Sequence, residues 1–216
     1  MFEFNPLLVI TTLSVLGLAP FLLTMVTSYA KIIVVTTLVR NALGVQQVPP
    51  AMVMNGLAII LTIFIMAPVA LDTYDIARGL PVPTRPSMTE IVDVASKASQ
   101  PLKRFLVANS EDKVTNMFMS TAKRIWPQER HSLISKDNML IMVPAFTITE
   151  LTKAFQIGFV LYLAFIAIDL IISNILLAMG MMMVSPTTIS LPFKLLLFVT
   201  LDGWLKISQG LMLSYQ

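Results

Sequence analysis

Two long stretches of this chain carry no charged side chain at all. Residues 4–30 and 41–71 contain no Asp, Glu, Lys or Arg, and each exceeds the roughly 20 residues that cross a hydrocarbon core as a helix. A second apolar block spans residues 154–193 and is interrupted only by Asp169. Of the 15 basic and 12 acidic side chains, eleven and nine lie between Asp72 and Lys153. The pattern is apolar block, polar middle, apolar block. With 56% hydrophobic and 12% charged residues, against about 25% charged in a soluble domain, a lone soluble enzyme is a poor fit. A domain of this size lacks the core to hide so much apolar surface.

The blocks read as an all-α protein. In the first, the apolar runs flank a link at 31–50 that ends in Gln46-Gln47-Val48-Pro49-Pro50, which predicts a helical hairpin. Pro20 and Pro68 fall inside the runs, where neighbouring helices can satisfy the freed carbonyls. In the second, Gly180, Pro186 and Pro192 predict a break near 185–192 and a second hairpin with a more polar final arm. The middle is helical too. Ser87 and Glu90 are spaced as a capping box, Pro101 separates two helices, and Val114, Met117, Phe118, Ala122 and Ile125 follow helical spacing up to Trp126-Pro127. Residues 80–86 predict a stiff Pro-rich linker. Thr147 and Glu150 have the spacing of another capping box, opening the last apolar helix. The expected division is 1–71, 72–143 and 144–216. The N-terminal run is expected to be retained, since Met1-Phe2-Glu3 lacks a basic n-region and the run is too long for a leader's apolar core. Lys31 and Arg40 in the first link, with Lys194 near the second turn, favour a cytoplasmic side for the links and a periplasmic polar middle.

Chemistry is sparse. A net charge of +3, scattered, gives no nucleic-acid footprint. There is no cysteine and one histidine, His131, so neither a thiolate site nor a His-rich metal site is expected, and no cofactor. Nucleotide, dinucleotide, hydrolase and zinc-protease motifs are absent. Acid pairs such as Asp72/Asp75 and Glu111/Asp112 read as surface charges. Asp169 stands alone in an apolar block, where a carboxylate is costly unless paired or wetted. It is either a proton-relay or ion site, or a buried ion pair with Lys31, Lys194 or a neighbouring chain. A lone acid without a second titratable group is a poor relay, which favours the pair. Four methionines, Met179, Met181, Met182 and Met183, fall within five residues. They are either filler in a packed helix end or, because Met is flexible and polarizable, a soft ring around a passing chain.

Longer strings carry a resemblance. Arg40-Asn41-Ala42-Leu43-Gly44-Val45-Gln46-Gln47-Val48-Pro49-Pro50 is one, and Pro144-Ala145-Phe146-Thr147-Ile148-Thr149-Glu150-Leu151-Thr152-Lys153 is another. Ile168-Asp169-Leu170, Met179-Gly180-Met181-Met182-Met183, Ser190-Leu191-Pro192-Phe193-Lys194 and Asp202-Gly203-Trp204 follow. Together they closely resemble the FliP/SctR (YscR, SpaP) family of type III export-gate proteins, most densely over 31–71 and 144–204 and loosely over 80–140. Gln46-Gln47-Val48-Pro49-Pro50 resembles the injectisome branch. The resemblance implies a non-enzymatic pore subunit of the inner membrane. Five copies would join partners resembling SctS and SctT, alongside a SctU-like switch protein and rod or needle subunits. The assembly would be a helical cone, largely above the bilayer plane, that passes unfolded polypeptide. It implies a methionine gasket at Met181, Met182 and Met183, charged positions Lys31, Arg40, Asp169, Lys194 and Asp202 pairing within or between subunits, and a turn motif at Asn41, Gly44, Gln46, Gln47, Pro49 and Pro50. The competing class is a small ion- or proton-coupled transporter built on Asp169, which the lack of an internal repeat disfavours.

Overall fold

The computed structural model describes residues 6–45, 47–80 and 88–216, and among these there is no strand. The first block forms α1 (Pro6–Val26), α2 (Tyr29–Leu43) and α3 (Ala51–Gly79). The middle forms α4 (Met88–Ala98), α5 (Gln100–Asn109), α6 (Asp112–Ile125) and a 3-10 segment (Gln128–Leu133). The last block forms α7 (Met139–Ala178), α8 (Pro186–Thr200) and α9 (Gly203–Leu213). The protein is all-α, as expected. Pro101 sits in the first turn of α5, where its missing N–H costs nothing. Trp126, extended before Pro127, ends α6.

Several boundaries differ from the sequence reading. Residues 31–43 are helix rather than link, so only 44–50 turn the chain between α2 and α3. The run 4–30 is not one helix, because the chain bends by 79° between Val26 and Tyr29. α7 begins at Met139, where the Asn138 side chain accepts from the Leu140 N–H at 2.9 Å. Thr147 and Glu150 are therefore interior, and Thr147 Oγ1 donates to the Val143 and Met25 carbonyls instead of capping. The second break lies at 179–185, and Pro192 is inside α8. The Ser87 half of the first capping box and the linker residues 81–86 lie outside the described residues.

α2 is the central element. Ile32, Val35 and Val39 are fully buried, with Ala42 and Leu43 nearly so. This i, i+3, i+7, i+10 stripe matches a helix with one core face. It packs chiefly on α7, and also on α3 and α8. The approach to α7 is closest at Gly158, where a Cβ would lie 2.3 Å from Leu38 Cδ1 and 3.1 Å from Leu38 Cβ. Gly158→Ala is expected to destabilise the fold by about 1–3 kcal/mol, the usual cost of overpacking, read as a lower melting temperature in mild detergent. An unchanged midpoint would contradict this α2–α7 contact.

α3 and α7 are long and apolar enough to cross a membrane, with mean hydropathy 2.2 and 2.4. The bent pairs at α1–α2 and α8–α9 meet the same test if each is taken together. At 1.5 Å per residue, the 40 residues of α7 reach about 60 Å, twice a hydrocarbon core of about 30 Å. Part of α7 therefore extends past any bilayer it crosses, and its N-terminal part, from Met142 to Lys153, packs on α5 and the start of α6. The chain exposes 14886 Å², whereas a compact monomer of its 23.9 kDa mass would expose about 9,900 Å². Much of the excess is apolar, including Phe21, Phe64, Phe159, Val160, Leu196 and Val199.

Candidate functional site

Two polar clusters tie the apolar blocks together, one half-buried around Asp169 and one fully buried around Glu150. In the first, Lys194 Nζ of α8 lies 2.6 Å from Asp169 Oδ2 of α7. The same ammonium donates to the Ala42 carbonyl of α2 at 3.2 Å, in that helix's last turn, where the dipole favours a cation. Ser190 Oγ donates to the other carboxylate oxygen at 2.5 Å. Lys194 is 5% exposed. Of the partners weighed for Asp169, Lys194 is the one in contact and Lys31 is elsewhere.

The second cluster holds Lys31. Its ammonium lies 3.2 Å from Glu150 Oε1, and the two side chains are 1% and 0% exposed. The Tyr215 hydroxyl donates to Glu150 Oε2, and Lys31 Nζ sits 3.6 Å from the centre of the Tyr215 ring. Tyr215 also stacks on Phe105 of α5, with centroids 5.8 Å apart. Burial, then the neighbouring carboxylate, pushes the Tyr215 phenol well above its ordinary pKa, so it stays a donor. Lys31 is buried in α2 against Glu150 and so is not a cation of the kind that sets orientation, whereas Arg40, in the last turn of α2 beside the link, still counts as one.

The turn motif and the last bend face one another. Gly44 ends α2 with φ 76°, a left-handed position that suits glycine, and its N–H donates to the Asn41 carbonyl at 3.1 Å. Arg40 Nη1 donates to the Pro49 carbonyl at 3.3 Å. The Pro50 carbonyl accepts from Val53 and Met54 and opens α3. Gln47 has φ 59°, and Gln46 lies outside the described residues. Asp202 also takes a left-handed conformation, with φ 51°, at a 58° bend between α8 and α9. Its side chain makes no cap bond. Gly203 is required there, since a Cβ would meet the Phe198 ring at 2.4 Å. Val48, Pro49, Phe198, Asp202 and Trp204 line one cleft of about 480 Å³.

The methionines form an exposed loop, not a packed helix end. α7 closes with the Met181 N–H on the Leu176 carbonyl and the Gly180 N–H on the Leu177 carbonyl, a Schellman pattern with Gly180 at φ 73°. Met179 and Met181 are exposed, Met182 is 82% exposed and Met183 is 100% exposed.

The acid pairs Asp72/Asp75 and Glu111/Asp112 are on the surface. Asp112 bonds Lys136 at 2.7 Å, and that hydrogen bond holds its carboxyl below the usual range. Glu150 and Tyr215 were missed as site residues. A lone Lys31 between apolar runs demanded a carboxylate, and Glu150, flanked by Ile148, Thr149 and Leu151, was an available one. Nothing local marked Tyr215.

An all-α chain with spanning-length apolar helices, tied together by ion pairs between those helices, is an integral membrane protein. It belongs to the FliP family, which matches residues 12–211. It is 50% identical over 209 residues to the Yop proteins translocation protein R of Yersinia pestis, covering 95% of this chain and 94% of that one. Virulence protein YscR of Salmonella typhimurium is 50% identical over 200 residues, covering 93% and 92%. The hypersensitivity response secretion protein HrcR of Ralstonia nicotianae is 43% identical over 215 residues, covering 99% and 98%. These virulence and secretion names agree with the injectisome branch of the family.

Proposed function

We propose that this chain is a pore subunit of a type III secretion export apparatus in the bacterial inner membrane. Several copies, with SctS-like and SctT-like companions, ring an axial conduit for unfolded polypeptide, and Met181, Met182 and Met183 seal it at rest. The observation that carries the reading is the exposed methionine loop, held on a hairpin whose arms are joined by Asp169 and Lys194. The excess apolar surface supports it, since obligate interfaces bury about 2,000–5,000 Å². The three-part division at 72 and 144 is kept in this reading, with the polar middle on the periplasmic side. A secretion subunit fits the relatives' names better than an enzyme does. Native mass spectrometry from mild detergent, alone and with co-expressed companions, tests it. A ring of several copies is the expected result, and a chain that stays monomeric in both preparations overturns the reading.

The transporter reading turns on Asp169. Its carboxylate is already taken by Lys194 and Ser190, which favours a structural tie. Asp169→Asn is therefore expected to weaken the α7–α8 tie and reduce the amount of ring recovered. A relay would instead lose coupling with the ring intact.

A further inference from the structure

α9 is held by little. Leu211 is its only fully buried residue, and Trp204, Ile207 and Met212 are partly covered by the core. It leaves α8 at the 58° bend. Segments with few buried apolar contacts open locally at low cost. Just beyond α9, however, one side chain meets three other helices. Tyr215 donates to Glu150 of α7, covers the Lys31 ammonium of α2 and stacks on Phe105 of α5. Phe105 in turn packs on Phe146 of α7, with centroids 5.7 Å apart.

We propose that Tyr215 is the latch that holds α9 against the rest of the chain, using the Lys31–Glu150 pair as its catch. The division of labour at Glu150 supports this. Oε1 serves Lys31 and Oε2 serves Tyr215, so only the docked tail satisfies both oxygens of a fully buried carboxylate. Undocking strands that oxygen and uncovers the ammonium, and stranding a buried polar group is costly. The catch lies at the opposite end of the C-terminal hairpin from the methionine loop. It makes Tyr215 a positioning residue for α9, and the inference stands whether or not the methionines seal a pore.

Hydrogen exchange read by mass spectrometry on the full chain in mild detergent tests it. Tyr215→Leu removes ring and hydroxyl, while Tyr215→Phe removes the hydroxyl alone. Loss of a hydrogen bond to a charged group is worth about a ten- to hundredfold faster exchange, and this is expected over 203–216 in the Leu variant. The Phe variant should fall between it and the wild type, with α2 and α7 accelerated much less than 203–216 in both. Unchanged exchange over 203–216 in the Leu variant overturns the latch. So does acceleration spread equally through α2 and α7, because Tyr215 would then be ordinary core. Should the Leu variant not fold, the Phe variant decides alone, and wild-type exchange in it ends the role given to the hydroxyl.

Discussion

Glu150→Ala is expected to cost the chain a large share of its stability. The side chain is 0% exposed, and its removal leaves Lys31, 1% exposed, with no counter-charge. Breaking a buried pair by deleting one partner costs about 3–5 kcal/mol, while whole domains hold only about 5–15 kcal/mol. Tyr215 loses its acceptor at the same time. Lys31→Ala should be comparably damaging, because an unpaired carboxylate would remain in the same site. Replacing all three members by apolar groups of similar volume reverses the expectation. Lys31→Met with Glu150→Leu and Tyr215→Phe leaves no stranded charge or hydroxyl, and such exchanges are often neutral or stabilising. Thermal denaturation in mild detergent, with membrane levels by immunoblot, separates the cases. A Glu150→Ala protein that melts with the wild type would mean the pair is not buried as described.

The elements that the sequence made legible are those written in local pattern. The uncharged runs marked α3 and the body of α7, Pro101 marked the start of α5, and Trp126-Pro127 marked the end of α6. Gly180 signalled a stop, and it proved to be the left-handed residue closing α7. The failures have one cause in common. The bend between Val26 and Tyr29 falls at Thr27-Ser28, with neither Gly nor Pro to announce it, inside a run whose apolarity is continuous. Thr147 and Glu150 have the right spacing for a capping box, but the chain was already helical from Asn138, so the spacing was coincidental. Glu150 instead answers Lys31, 119 positions away, and no local window contains both. The methionine cluster was visible as composition, whereas its exposure depended on where α7 ended.

On the proposed gasket reading, replacing Met181, Met182 and Met183 together by alanine is expected to leave assembly intact and to open the resting conduit to small solutes. The chain itself barely uses these side chains, since Met182 is 82% and Met183 100% exposed. Substitutions at such positions usually move stability by no more than about 0.5 kcal/mol, so the fold of each chain should be unchanged, and native mass spectrometry checks that the copy number is unchanged too. What alanine lacks is reach and pliancy. Methionine has three rotatable bonds and a polarizable thioether that conforms to irregular surfaces, so several copies can close a gap and still yield to an unfolded chain. Alanine would retract such a seal without altering Gly180 or the Asp169–Lys194 tie, which set where the loop stands. Leucine in the same positions conserves volume and should keep solutes out. Entry of a small membrane-impermeant dye into cells carrying the assembled apparatus reads the effect, with secretion measured alongside. An alanine variant that stays sealed and secretes at the wild-type rate would remove the gasket role and leave the loop without a function in transport.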